Sequence, residues 1–127
     1  MRELDSREKG LLERLIDAAP QLSDELRTQV ENIRAEQIGP DGTLRLHCSD
    51  GIPSKYVTPV SEGVCKDADG VDIAVMLHLA KSGFMSMLEI IRYDGSQIIS
   101  PPSADNLAIN SVPTFQVLGP GRYRRVE

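Results

Sequence analysis

Three aspartates stand close together at Asp67, Asp69 and Asp72. Carboxylates at alternate loop positions are the ligands a calcium ion takes. A calcium loop of the helix–loop–helix kind needs Gly at its sixth position, and here Gly70 comes fourth. The segment therefore reads as an Asp-Gly turn opening a hairpin, with Gly70 taking the positive φ. His47, Cys48, Cys65 and His78 are ligand types that suit zinc. No Cys-x-x-Cys or His-x-x-x-His spacing joins them, and strand neighbours such as His47 and Cys48 point to opposite faces. No metal site is expected. A phosphate loop, a dinucleotide glycine fingerprint, a Gly-x-Ser-x-Gly elbow and a His-Glu-x-x-His pair are all missing from the sequence. No cofactor is expected either.

Nucleophilic catalysis would require Cys48 beside His78, brought together by adjacent strands. A reactive thiol needs a lowered pKa, from a helix N-terminus or a neighbouring cation. Neither is visible, and Cys48 shares the apolar phase of Leu44 and Leu46. Glu89 and Asp94 are the other carboxylates of interest, since a pair about 5–10 Å apart across a substrate does acid–base work. Five residues apart on an extended strand, they face away from each other. Asp94 reads as part of an Asp-Gly turn. Glu89, if its face is buried by helices, needs a partner such as Arg92 or Lys81. His78, Glu89 and Tyr93 are the side chains that would line a pocket between helices and sheet.

The elements that position these residues follow from periodicity. Asp5 and Glu8 have the spacing of a capping box, and Leu11, Leu12, Leu15, Ile16 and Ala19 fall on one helical face behind it. Pro20 closes that helix. Ser23 caps a second helix, whose apolar stripe is Leu22, Leu26, Val30 and Ile33. Gly39-Pro40-Asp41-Gly42 is a turn joining residues 35–38 to a strand at Leu44–Cys48. Tyr56 to Cys65 is extended, with Pro59 placing it at an edge. Val71, Ile73, Val75, Leu77 and Leu79 alternate with polar and small residues, the clearest strand in the chain. Phe84–Tyr93 is apolar on both faces and so central. Val112–Leu118 carries the signal of one short strand, and the last residues read as a tail. Together these give an α+β fold: two N-terminal helices packed on an antiparallel β-meander of about five strands. The expected division is a single domain over 1–105 and a C-terminal extension over 106–127.

The chain has 127 residues, enough for one domain with a true core. Aromatic residues make up 4% with no Trp, so the core is aliphatic and no base-stacking face is built. The net charge is −5. Residues 1–36 carry six basic and nine acidic side chains, residues 37–105 five and nine, and residues 106–127 three and one. The body is therefore acidic and only the end, with Arg122, Arg124 and Arg125, opposes it. Such a surface repels nucleic acid and attracts a basic protein. Residues 1–17 contain no apolar signal core, and no apolar run approaches the ~18–20 residues that span a bilayer. Membrane insertion is not expected. A cytoplasmic location with Cys48 and Cys65 as free thiols is.

The stretches "RELDSREKGLLERLIDAAP" and "DADGVDIAVMLHLAKSGFMSMLEIIRYDGSQI" resemble a family of small bacterial α+β proteins with no assigned function. In that family a helix opening with Arg-x-Leu and holding a Leu-Leu pair precedes a strand pair that ends in an Asp-Gly turn followed by a Pro. The resemblance spans most of residues 2–102. It implies the fold and no catalytic residue.

The expected function is that of a non-enzymatic interaction protein, of the kind exemplified by immunity proteins that neutralise a toxin domain. Its partner would be a basic protein met through Asp67, Asp69 and Asp72. A homodimer is compatible with the sequence. The alternative is a small enzyme or ligand-binding domain using a pocket lined by His78, Glu89 and Tyr93.

Overall fold

A computed structural model describes residues 1–20, 22–48, 50–54, 56–57, 61–110, 114–119 and 122–126, the backbone alone in 56–57 and from 114 on. Helix α1 runs Ser6–Asp17 and opens with the expected capping box. The Glu8 amide donates to Asp5 Oδ1 at 2.7 Å, and the Asp5 amide donates to Glu8 Oε1 at 3.0 Å. Glu8 is itself buried, and Arg2 closes on it as a fork at 2.6 and 2.8 Å. Hydrogen bonding from Arg2 holds the Glu8 carboxyl below the usual carboxylate range. One glutamate therefore ends the helix correctly and anchors the N-terminal segment. That segment exchanges two backbone hydrogen bonds with Ala35.

Helix α2 covers Ser23–Gln29. Its N-cap is Leu22 rather than Ser23, and no side chain caps it. Ser23 instead lies buried inside the first turn, so the hydroxyl is one position too late to act as cap. The apolar faces of both helices are buried, with Leu11, Leu12, Leu15, Ile16, Leu22 and Leu26 at 0–1% exposure.

The strands are β1 (Arg34–Gln37), β2 (Leu44–His47), β3 (Tyr56–Val57), β4 (Ser61–Lys66), β5 (Asp72–Leu79), β6 (Met85–Arg92), β7 (Ala108–Asn110), β8 (Thr114–Gly119) and β9 (Arg122–Val126). Six of them form one antiparallel sheet in the order β1-β2-β6-β5-β4-β7, and β3-β8-β9 form a second. The fold is thus α+β with two N-terminal helices, and the main sheet has six strands where about five are expected. The expected meander holds for β4, β5 and β6. It is interrupted where the β1–β2 hairpin docks on β6. Thr43 makes that joint: its Oγ1 donates to the Ile90 carbonyl at 3.1 Å and accepts the Ile90 amide at 2.9 Å. β6 is central, as its two apolar faces imply. β4 is not an edge strand, because β7 pairs with its outer side, Gly63 opposite Ile109. Pro59 lies outside the described residues.

Register decides which side chains enter the core. Val75 sits opposite Ile90 and Leu77 opposite Leu88, and all four are at most 3% exposed. The opposite face carries Met76, His78, Met87 and Glu89, all partly buried. The tight turn between β5 and β6 needs Gly83, at φ +88°, and a Cβ there would lie 2.2 Å from the Ser54 carbonyl oxygen. The close approach is fixed by Gln29, which is 1% exposed. Its amide nitrogen donates to the carbonyls of Ile52 and Gly83, and its oxygen accepts the Met85 amide at 2.9 Å. One buried amide thus fastens the end of α2 to a loop and to the start of β6.

Two stability changes follow. Leu77→Ala should cost ~2–5 kcal/mol in denaturant melts, from lost transfer energy plus a cavity. A loss below ~1 kcal/mol would mean that the register of β5 is wrong. Gln29→Ala strands the buried Met85 amide and should cost about 1–3 kcal/mol or more. A neutral result would contradict the three-way tie.

Candidate functional site

In the core phase of β6, Leu88 and Ile90 are followed by Arg92, opposite Ile73. Alternation therefore turns a guanidinium inward at the end of the sheet, where it is 4% exposed. Such a group needs partners. Asp94 receives its Nε and Nη2 at 2.8 and 3.0 Å. Asp69 receives Nη1 and Nη2 at 3.0 and 2.5 Å, and Asp67 receives Nη1 at 2.6 Å. A guanidinium has five N–H donors in a fixed fork, and these five bonds match them in number. The turns before β5 and after β6 are thereby clamped to one cation.

Asp67 reaches further. Its carboxylate also accepts the backbone amides of Ala68, Ile99 and Ser100 at 2.7, 2.9 and 2.8 Å. Burial is the largest single influence on this carboxyl and opposes its ionisation. The three amides and Arg92 together outweigh it and hold the group well below the usual range. Asp94 is held down by Arg92 first and by Ser96, and Asp69 by Arg92 first. Arg92 is raised by Asp94, then Asp69 and, against some cost of burial, Asp67.

This geometry bears on the expected contact residues and removes Asp67 from them. Asp67 has no exposed side-chain surface and cannot serve as a contact residue. Asp69 binds Arg92 while keeping an exposed side chain, and Asp72 makes a surface pair with Lys66 at 2.5 Å. Arg92 was not foreseen as their partner. The signal was present: a charged residue in the apolar phase of a strand, between two aspartate-bearing turns.

The remaining candidates separate. His78 Nε2 lies 3.0 Å from Glu89 Oε1. This pair lies on the sheet face opposite the helices, so the partner of Glu89 is His78 and neither Arg92 nor Lys81. Tyr93 is 60% exposed and stands apart from them. Glu89 and Asp94 have different partners, as the sequence implies.

Three clefts bear on function, and His78, Glu89 and Tyr93 line none of them. One of about 380 Å³ lies between α1 and α2. A second, about 200 Å³, adjoins it through Lys9, Val30 and Glu31. A third, about 460 Å³, opens at the ends of β2 and β6 and includes both His47 and Cys48. β2 stops at His47, so strand alternation does not carry on to Cys48 and the two need not face apart. Burial pushes the Cys48 thiol up to about 11, against a lowering contact from the Met85 backbone. That is the reverse of an activated nucleophile. Among the described residues no cluster of His, Cys, Asp and Glu could hold a metal ion. Among them, too, no helix is long and apolar enough to cross a membrane.

These features define a small α+β domain whose most tightly bound polar cluster is closed upon itself. The chain belongs to the family described as a domain of unknown function, DUF6984, whose model matches residues 1–102. No curated protein and no solved structure matches it. The match contains the whole Arg92 cluster and ends before β7.

The cluster sets two expectations. Asp67→Asn should lower the melting temperature far more than Asp72→Asn, since only the first opens a buried ion pair; equal losses would contradict the assignment. The aspartates have folded pKa values below their unfolded value of about 3.9. Their stabilisation is therefore fully present above that value and is lost as pH falls below it. Asp69→Asn should flatten the loss of stability on acidification below about pH 4, and an unchanged acid profile would count against it. Cys48 should react with a thiol reagent more slowly at pH 8 than an unperturbed cysteine, with rate rising toward about pH 11; fast labelling at pH 8 would show an activated thiol.

Proposed function

We propose that this protein is a non-enzymatic interaction module that docks a basic protein surface against the face formed by α1 and α2. The observation that carries this reading is where carboxylates remain uncommitted. Asp67, Asp69 and Asp94 are consumed by Arg92. On the helical face Asp17 is paired with Arg27. Glu13 and Glu31, exposed at the α1–α2 cleft, form no ion pair among the described residues. Asp24 on α2 is fully exposed at the side chain and is held only by a long 3.9 Å ion pair with Arg27. Ile16 and Val30 give the cleft an apolar floor. The rim also carries Lys9 and Arg27, and Arg27 is already paired with Asp17, so Glu13 and Glu31 over the apolar floor suit a partner that presents Lys or Arg around an aliphatic anchor. An immunity protein facing a basic toxin domain is the specific form of this reading that we favour, in a bacterial cytoplasm. The contact face moves from the aspartate turn, as first expected, to the helices.

The test is kinetic. The partner crosslinked to the chain in its native host is identified, and association is followed at low and high salt. The association rate should fall steeply with salt and fall again in a Glu13→Gln, Asp24→Asn, Glu31→Gln variant, with the melt nearly unchanged. Salt-insensitive binding, or an unaffected variant, would contradict the assignment of this face. Turnover of a small molecule, lost on changing His78 or Glu89, would favour the enzyme reading.

A further inference from the structure

The cleft at the ends of β2 and β6 combines features that the α1–α2 face does not. Its floor is apolar, made by Leu46, Phe84 and Met85. Its rim carries Arg34, His47 and Ser86. Arg34 and His47 are register partners across the β1–β2 hairpin, so their side chains leave the sheet on the same side. In a chain of net charge −5, a guanidinium and an imidazole meeting over an apolar floor is the opposite of the prevailing surface. The volume, about 460 Å³, lies within the range of small-molecule sites.

Arg34 also borders the neighbouring cleft, and there it takes a carboxylate. Glu3 Oε1 lies 3.1 Å from Arg34 Nη1. Both side chains are largely exposed, at 79% and 53%, so the pair is weak and exchangeable. It is an ion pair without a directed hydrogen bond, which leaves the five donors of Arg34 open to a better-placed acceptor. A carboxylate in this cleft could draw Arg34 from Glu3 by binding it in bidentate form, a geometry that Arg favours over a point cation. We propose that this cleft binds a small amphipathic carboxylate, with its acid group on Arg34 and His47 and its aliphatic or aromatic body over Leu46, Phe84 and Met85. The site is independent of the α1–α2 reading, and the failure of either leaves the other standing.

The test uses the full chain and three probes of equal chain length: octanoate, octylammonium and 1-octanol. Amide signals of His47, Phe84 and Ser86 are followed by NMR during titration. Octanoate should shift them saturably and bind at least about tenfold more tightly than the other two, the effect of one charge-assisted hydrogen-bonded contact. Arg34→Gln should weaken octanoate about tenfold or more. Glu3→Gln should tighten it, because the internal competitor is gone. Should Arg34→Gln unfold, Glu3→Gln still decides, since it leaves the cation in place. Octylammonium binding as well as octanoate, the absence of saturable shifts at these residues, or octanoate affinity unmoved by Glu3→Gln would each overturn the proposal.

Discussion

A guanidinium that strand register turns into the interior governs one whole end of this molecule. Arg92 occupies the phase of Leu88 and Ile90, where a methyl-bearing side chain would be ordinary. Its burial is tolerable only because the adjoining turns deliver three carboxylates in geometry that uses its donors. Asp67 extends the arrangement to the backbone of Ile99 and Ser100, so the chain leaving the sheet is held by the same knot. Removing Asp67 or Arg92 leaves the other buried with its charge poorly compensated. A cluster of this kind fixes conformation, and it withdraws Asp67 from any external role.

The same device recurs at smaller scale. Glu8 closes a capping box and also receives Arg2, joining the first helix to the segment that pairs with β1. Gln29 ties the second helix to two loops and to β6. Thr43 ties the hairpin to the central strand. An aliphatic core supplies the bulk of the driving force but little direction. These four polar ties set how hairpin, helices and turns meet around it. The surface left over divides into an acidic helical face and one cleft with a cationic rim.

Much of the fold is legible in the sequence because it rests on local rules. The capping box, Pro20, the Asp-Gly turns and the alternation from Val71 to Leu79 each have a mechanism acting over a few residues. The β2–β6 pairing is not legible, since it depends on a long-range choice that Thr43 completes. β7 is hidden for a similar reason. Only three residues long, it is placed by Leu107, which packs against Gly63 where a side chain would crowd it. The candidate site is less legible than the fold. Reading Asp67 as a surface acid like Asp69 and Asp72 follows from composition, which cannot show that Arg92 lies inward between two turns. The phase of Arg92 could have shown it.

The central claim is that Asp67 is internal and that Asp67, Asp69 and Asp94 are held ionised by Arg92. Carbon-detected NMR titration of the Asp67 and Asp94 carboxyl groups in the folded protein addresses it most directly. Both signals should stay at the ionised position as pH falls through and below about 3.9, the value of an unperturbed aspartate, until the protein itself unfolds. Titration of both near that value in a still-folded chain would show acids not held by Arg92, and the account of the cluster would be wrong.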